Sequence, residues 1–514
     1  MKPDGTDIYP ISYFETSEWR PVVDNTGALV YSRWDYTDRE NCLGSTFWTC
    51  APDGRNPRSP QGNYPYPWDV FEDCEHGDHR FGRCDDAPSG LPMTQMQFRP
   101  IPGSHKYVFT AAPHHGESFG SLCLLDLRVP NDNHMSQIRR ITPFEAFPES
   151  ETYDRSQYRY GAPWALSEDL YLCNSWEDLV LLDRFGNEEL LCEREILPIG
   201  YDPRLRLTEP IPLRPRPKPP IVAQQTAQGE DYSDRDMTAT VGVINVNLHD
   251  RPFPEDRPIK RLRVLQAIPK SNPWMDKPFI GYATENTPRI PLGTVPVEED
   301  GSAFFEVPYG KQLIFQALDE NNMAVQTMRS VAFAHPGEKL VCTGCHESTT
   351  ESVPNVSPDG QPLAFQRAPS KLEPECGPVE PINFYRLIKP IVDARCVSCH
   401  VEKNAGPTAM DHEDLRPYVY YYSGSMRGGL TTTGVHGGSR ARPGRVGAYE
   451  SKLGKILFDK THKDVVSEED RRAFILWLDA NALRLGAFQD EEAQKRGELI
   501  WPLLDVEPCQ EYAP

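Results

Sequence analysis

The sequence predicts a multidomain, mainly β protein in which a partial β-propeller is followed by a β-sandwich-like middle domain and a small α-helical domain. Three observations support this fold class. Short apolar segments separated by turn residues fill the first part of the chain, a proline-dense segment interrupts them, and helical periodicity begins only after Pro381. A chain of 514 residues is long enough for about two to four domains, each with its own core.

Residues 1–205 contain the predicted propeller blades. Strand-like segments alternate there with glycine-containing turns about every ten residues, which indicates antiparallel strands. The units recur at a spacing of roughly forty to seventy residues, and this spacing favours blades. Three units are visible, whereas a closed propeller needs about four or more. The strand-like segments are residues 28–32 and 47–50, 107–111 and 121–126, and 170–173 and 179–183.

A proline-rich linker and a second β region follow. Residues 206–222 are predicted to be extended, because proline lacks the amide hydrogen that helices and central strands need. Residues 223–365 are predicted to form the middle β domain, in which apolar and polar residues alternate. Its predicted strands are residues 259–267, 294–296, 303–307 and 312–318.

Residues 366–514 are predicted to be helical. The segment 382–394 places its apolar residues on one helix face and leads directly into Cys396. Ser467, with Asp470 three residues later, is a typical helix start, and apolar residues follow it.

The charge of the chain argues against two classes of partner. The 54 lysine and arginine residues against 75 acidic residues give a net charge of -21, which repels nucleic acid and anionic membrane surfaces. No segment approaches the roughly eighteen apolar residues of a membrane span. The first residues lack the basic start and apolar stretch of a secretory signal, although 13 cysteines exceed the usual content of a reducing compartment.

Two Cys-x-x-Cys-His sequences carry the strongest chemical signal. Covalent haem attachment needs two thiols that reach the porphyrin vinyl groups and a histidine that reaches the iron, and this sequence supplies all three. Zinc binding is the alternative, but the two pairs lie much farther apart than the roughly fifteen to twenty residues usual in zinc sites. We therefore predict two covalently bound c-type haems. Their binding residues are Cys342, Cys345 and His346 for the first and Cys396, Cys399 and His400 for the second.

The two predicted haems differ in their expected axial ligands. His400 is the proximal candidate of the second haem, and no methionine follows Met426 to supply the other axial position. His436 and His462 remain, and His462 lies at the more plausible distance, directly before the last long helix. His335 is too close to the first motif for a distal role, although a supporting role stays open. The first haem is therefore the candidate catalytic centre, because its iron has no evident second ligand.

A third cluster of metal-binding residue types lies in the propeller region. Two cysteines and two histidines among acidic residues could hold zinc. A disulfide between the two cysteines would explain the same residues without a metal. The four residues are Cys74, His76, His79 and Cys84.

These motifs and several other segments resemble the hydrazine synthase alpha subunit family. The similar segments follow the family order over nearly the whole chain; they are residues 31–38, 210–217, 297–304, 316–319, 342–347 and 396–400. The resemblance implies a propeller, a middle domain with an unusual haem, and a cytochrome c-like domain whose haem is bound by two histidines. It implies that His400 and His462 are this axial pair.

The resemblance also implies a particular arrangement at the middle haem. In the family, a tyrosine four residues beyond the motif histidine binds the iron, and the histidine turns to a zinc shared with a cysteine ahead of the proline-rich linker. Thr350 occupies the tyrosine position here, and residues 207–209 contain no cysteine. These departures favour His346 as an iron ligand; zinc would be its metal if the synthase arrangement applied.

Three functions are compatible with the sequence. The first is redox chemistry on a small nitrogenous or other small molecule at the middle haem, with electron relay through the C-terminal haem. The second is a non-catalytic electron-transfer or docking protein with a propeller interaction domain, and the third is a zinc protein without haem.

The motifs and the composition also predict partners and a location. A haem protein of this type is expected to meet a redox partner protein or other subunits in an extracytoplasmic, periplasmic or equivalent compartment. The chain is also expected to be N-terminally incomplete, because three blades leave open strand edges.

Overall fold

The computed structural model describes residues 1–2, 4–14, 17–34, 45–61, 92, 94–113, 119–130, 136–145, 159–194, 207–229, 238–249, 252–271, 277–283, 286–345, 360–404, 406–407, 410–421, 441 and 443–503. Within these ranges, no helix has the length and apolar character needed to cross a membrane.

Eleven strands are described in the first part of the chain, and they form one connected sheet. They are β1 (Ser17–Val23), β2 (Leu29–Trp34), β3 (Ser45–Cys50), β4 (Thr94–Pro100), β5 (Lys106–Ala112), β6 (Phe119–Asp126), β7 (Ile138–Arg140), β8 (Tyr160–Ala165), β9 (Leu170–Ser175), β10 (Asp178–Asp183) and β11 (Glu188–Cys192). Strands β1 to β3 form group 1, β4 to β7 group 2, and β8 to β11 group 3, each antiparallel. Few residue pairs join neighbouring groups: Ser45 with Thr94, and two pairs between β6 and β8.

Aspartate-glycine turns connect strands within the groups and account for the turn period seen in the sequence. Asp24 and Asp183 each accept hydrogen bonds from the amides two and four residues further along. The glycines of the same turns, Gly27 and Gly186, have φ values of 86° and 84°, which residues with a side chain rarely adopt.

The predicted strands of the first region are confirmed, with ends that differ by one or two residues. In its described part the sheet does not close into a ring, and β1 and β11 are the two ends of its strand order. The mainly β, multidomain fold class is therefore confirmed at this level.

Where the middle region is described, seven strands form two smaller sheets. They are β12 (Ala239–Val243), β13 (Arg261–Ala267), β14 (Arg289–Pro296), β15 (Ala303–Val307), β16 (Gln312–Leu318), β17 (Ala324–Thr327) and β18 (Lys339–Cys342). One sheet has the order β15-β12-β18 and the other β14-β13-β16-β17, and residues from both, including Val241, Val264 and Phe305, share one core. The strands β12 and β18, which pair in parallel, were not predicted.

Eight short helices lie among the described residues of the last region. They are α1 (Phe384–Leu387), α2 (Lys389–Arg395), α3 (Val397–Lys403), α4 (His412–Leu415), α5 (Gly447–Glu450), α6 (Lys452–Ile456), α7 (Glu468–Asp479) and α8 (Glu491–Lys495). The single helix predicted over 382–394 is wrong, because α1 and α2 meet at Ile388. Pro390 lies in the first turn of α2, where the backbone amides have no partner within the helix and a missing amide hydrogen breaks no hydrogen bond. Inside one continuous helix it would remove a backbone hydrogen bond and clash with the preceding turn. The start of α7 at Ser467 is confirmed by a reciprocal capping box with Asp470.

A buried arginine joins the middle sheet to the helices. Arg263 on β13 directs all five of its N–H donors to acceptors, with two bonds of 2.6 Å to the Glu375 carboxylate and one of 2.9 Å to Asp479 at the end of α7. Its remaining bonds reach the Gln316 side chain and the Asn322 carbonyl oxygen.

A second buried arginine joins group 1 to the middle region. The guanidinium carbon of Arg33 lies 3.4 Å from the ring centroid of Phe14 and 3.9 Å from that of Trp48. Arg33 also donates a 3.0 Å hydrogen bond to the hydroxyl of Ser330. The three regions are therefore connected by contacts made in the protein interior.

Candidate functional site

The C-terminal Cys-x-x-Cys-His sequence is organised by two consecutive helices. Cys396 stands between α2 and α3 and donates its backbone amide to Val392, while the amide of His400 donates back to Cys396 at 3.1 Å. Helical spacing places Cys396, Cys399 and His400 on one face. Cys396 packs against the main apolar core and burial raises the pKa of its thiol, whereas Cys399 is exposed.

The fold brings His462 to this face. The ring centroids of His400 and His462 are 6.4 Å apart, with an angle of 41° between the ring planes. Asp459 holds the turn that carries His462, because its carboxylate accepts bonds from the His462 backbone amide at 2.8 Å and from Nδ1 at 2.9 Å. The hydrogen bond from His462 lowers the pKa of Asp459.

These residues fit a metal bound between two imidazoles. With metal–nitrogen bonds of about 2 Å, two imidazoles on opposite sides of one metal have ring centroids roughly 6–6.5 Å apart. A carboxylate on Nδ1, as Asp459 provides, is the usual partner of a metal-binding histidine. The Nδ1 atom of His400 is buried and lacks a hydrogen-bond partner within the described ranges. His436, the other distal candidate, lies outside the described residues.

Apolar side chains that a porphyrin could cover flank the two histidines. Val401 follows His400 directly and is 55% exposed, while Phe458 and Val465 on either side of the His462 turn are each 42% exposed. Exposed apolar groups next to a candidate cofactor site are typical of a surface that a cofactor completes.

The first Cys-x-x-Cys-His sequence stands at the end of a strand. The Cys342 carbonyl accepts a bond from the Ile244 amide at 3.0 Å, and the Cys345 amide donates to the Leu248 carbonyl at 2.9 Å. A Cβ atom on Gly344 would lie 2.3 Å from that Leu248 oxygen, so the close approach of the two backbones requires glycine. His346 and Thr350 lie outside the described residues.

One histidine near the first site was missed at the sequence level. His249 follows Leu248, the residue that holds Cys345, and its Nε2 lies 2.8 Å from the Gln326 side-chain nitrogen and its ring 5.2 Å from that of Phe253. The parallel pairing of β12 with β18 and the hydrogen bonds that continue it bring this segment to the motif, and no spacing rule in the sequence indicates that pairing.

The supporting role left open for His335 at the first haem stays a prediction, and the described contacts of this residue lie elsewhere. It is fully buried, its Nδ1 lies 2.8 Å from Glu338, and its Nε2 lies 3.0 Å from the carbonyl oxygen of Ile11. Its contacts therefore join the N-terminal segment to the residues ahead of β18.

The predicted zinc cluster lies outside the described residues, and so does each of its members. Among the residues that are described, no group of three or more histidine, cysteine or acidic side chains is arranged to hold a metal ion. Zinc at Cys74, His76, His79 and Cys84 stays a prediction.

The fold and the motifs define a mainly β multidomain protein with one Cys-x-x-Cys pair at the end of a sheet and another on consecutive short helices. Residues 258–347 match the family model of the hydrazine synthase alpha subunit middle domain. The resemblance inferred from the sequence is thereby confirmed.

Among solved structures, the chain is similar to hydrazine synthase of Kuenenia stuttgartiensis. The TM-score is 0.62 at 16% sequence identity, and the match covers 92% of this chain and 70% of that chain. Two structures of the extracellular domain of BT4673 from B. thetaiotaomicron also match, each at 10% identity over 63% of this chain. The matches cover 36% and 37% of those chains, and their TM-scores of 0.17 and 0.18 are too low to indicate a common fold. No curated protein sequence matches the chain.

Proposed function

We propose that this chain is a dihaem c-type protein of the hydrazine synthase alpha-like type. It would carry out redox chemistry on a small nitrogenous or other small molecule at the middle haem and relay electrons through the C-terminal haem. The observation that carries this proposal is the 6.4 Å separation of the His400 and His462 rings. These two residues lie far apart in the sequence, and the family resemblance implies that they are an axial pair.

Each residue of the C-terminal site would have a defined part. Cys396 and Cys399 would anchor the porphyrin, His400 and His462 would hold the iron, and Asp459 would fix the orientation of His462. When bound by two imidazoles, haem supplies reversible one-electron transfer. Cys342, Cys345 and His346 would hold the middle haem, or His346 would bind zinc if the synthase arrangement applied.

The common core supports relay between the two sites. Residues of the middle sheet, such as Leu265 and Ile314, belong to the same apolar cluster as Phe384 and Trp477 from the helical region. A continuous core of this kind resists relative movement of the parts that it joins. Two cofactors held by these regions would keep a constant separation, so movement of one region relative to the other would not change the rate of electron transfer between them.

The finer architecture is part of the same proposal. Groups 1 to 3 would be blades of a partial propeller in a domain over residues 1–205, followed by the linker 206–222, a middle domain over 223–365 and a cytochrome c-like domain over 366–514. A redox partner or further subunits would meet the protein in an extracytoplasmic compartment.

Absorption spectroscopy of the full chain, produced with a haem-attachment system, tests the proposal. We expect two haem equivalents, and we expect carbon monoxide to shift the reduced spectrum of one of them, because a six-coordinate haem binds carbon monoxide poorly. Absence of a Soret band would favour the zinc protein. Two haems without any carbon monoxide response would favour the electron-transfer or docking protein.

A further inference from the structure

The first strands of the three groups share one backbone irregularity. In each of β1, β4 and β8, a bulge sets two residues opposite a single residue of the neighbouring strand. The first residue of each bulge has a left-handed backbone although none is glycine: φ is 54° at Arg20, 59° at Gln97 and 46° at Ala162. Such conformations cost about 1 kcal/mol or more and mark places where the fold imposes them, often beside a binding site.

The residues that follow the bulges converge on one cavity. Val22, Arg99 and Trp164 occupy the same position after the bulge in groups 1, 2 and 3, and all three line a cavity of about 760 Å³. The proline-rich segment closes another side of this cavity with residues 212, 214 and 216–219. The volume lies within the roughly 300–1,000 Å³ that is typical of small-molecule sites.

Positive charge is concentrated in this cavity. The guanidinium carbons of Arg99 and Arg216 lie 5.1 Å and 5.0 Å from the ring centroid of Trp164. Burial, together with the charges of Arg20 and Arg216, lowers the pKa of Arg99. The arginines therefore repel one another in a chain whose net charge is -21.

The carboxylates nearest the cavity form no ion pair with Arg99 or Arg216 in the described part of the chain. Asp24 lines the cavity, but one carboxylate oxygen serves its own turn and the other accepts the Tyr107 hydroxyl hydrogen bond. Glu209 pairs with Arg20. Across the described part of the chain, neither Arg99 nor Arg216 has a hydrogen-bonded acceptor or a salt bridge, so their N–H donors are available to a ligand.

We propose that this cavity binds a small organic oxoanion, a molecule with carboxylate or phosphate groups, between the three strand groups and the proline-rich segment. The planar guanidinium forks of Arg99 and Arg216 match the geometry of such groups, and stacking on Trp164 holds them without using a hydrogen-bond acceptor. The residues that follow the three bulges, Val22, Arg99 and Trp164, form part of the cavity wall. Neither predicted haem takes part, so the site goes beyond the proposed redox function.

Calorimetric titration of the full chain with inorganic phosphate and with citrate, in a buffer of low ionic strength, tests this site. We expect saturable binding of at least one probe at a single site. Arg99→Gln and Arg216→Gln should each weaken that binding about tenfold or more, because each removes a charged hydrogen-bond donor. Tighter binding of phosphate or of citrate would support the site and assign the head group of its ligand.

Arg184→Gln provides the matched control. Arg184 also lies over an aromatic ring, 4.7 Å from the centroid of Phe185, but it does not line the cavity. Its replacement should leave the affinity within about twofold of the parent value. Arg216 is exposed on the proline-rich segment, so its variant should keep the fold even if Arg99→Gln does not. Absence of saturable binding by both probes, or equal weakening in Arg184→Gln, would overturn the proposal.

Discussion

The two Cys-x-x-Cys-His sequences have the same residues at the same spacing, yet they stand on different backbones. The C-terminal one lies on α2 and α3, where helical spacing alone aligns its three side chains. The first one begins at the last residue of β18, and backbone hydrogen bonds with residues 244–248 determine its course. A short motif can therefore be organised by its own helix at one site and depend on a distant strand at another.

Removing the framework that both sites share should have the largest effect. Arg263→Leu leaves the buried carboxylates of Glu375 and Asp479 without their cation, so we expect the free energy of unfolding to fall by about 3–5 kcal/mol. Urea denaturation measures this loss. Arg261→Leu on the same strand is the control, because its partner Glu373 is largely exposed and the expected loss is about 0–1 kcal/mol. Equal losses in the two variants would contradict a common buried framework.

Substitution of the residue before the second cysteine of each motif tests the contrast directly. Gly344→Ala places a Cβ atom 2.3 Å from the Leu248 oxygen, and we expect a loss of about 1–3 kcal/mol in unfolding free energy. Ser398→Ala is the matched change on α3, where the side chain is exposed, and its effect should stay within about 0.5 kcal/mol. Chemical denaturation compares the two variants. A larger loss of stability for Ser398→Ala would contradict the view that only the first motif depends on a close backbone contact.

His462→Ala tests the second site at a smaller energetic cost. Because covalent attachment depends on Cys396 and Cys399, we expect the second haem to stay bound but to change from low-spin to high-spin or water-ligated. The side chain is 34% exposed, so we expect the unfolding free energy to change by at most about 1 kcal/mol. Absorption spectra measure the spin state, and His249→Ala, near the first site, should leave this haem unchanged. A low-spin spectrum that survives His462→Ala would point to His436.

Thiol reactivity should show the smallest difference, within the helical motif itself. In protein produced without haem attachment, Cys399 should react with iodoacetamide about three to ten times faster than Cys396, because burial raises the pKa of Cys396. Mass spectrometry at pH 8 follows the two rates. Cys123, whose pKa burial raises to about 12, is the internal control and should react only after unfolding. Faster labelling of Cys396 would mean that burial does not determine the relative reactivity of the two thiols.

The sequence predicted those features that are encoded locally. Aspartate-glycine turns and alternating apolar residues located the strands of the first region, and the serine of the α7 capping box located that helix. The choice of His462 rested on its position ahead of α7 and on the family resemblance, and the ring geometry agrees with it. The break at Ile388 was also encoded locally, by Pro390, but the apolar face of the segment obscured it.

Features that depend on long-range pairing could not be predicted in this way. The parallel contact of β12 with β18 joins residues about a hundred positions apart, and β18 has only 4 residues. The bulges at Arg20, Gln97 and Ala162 share no residue type, so nothing in the sequence indicates them. The cavity beside these bulges is formed only when the three strand groups and the proline-rich segment come together.

The buried Arg263 has a consequence for how such proteins can evolve. The buried guanidinium of Arg263 is compensated by the carboxylates of Glu375 and Asp479, and without them β13 would carry an unpaired buried charge. The helical region is therefore not expected to be stable when it is joined to the middle sheet of another protein, unless that sheet also carries the matching arginine. A hybrid of two related proteins joined between the middle sheet and the helices should therefore be stable only if both parents carry this arginine and its two carboxylate partners.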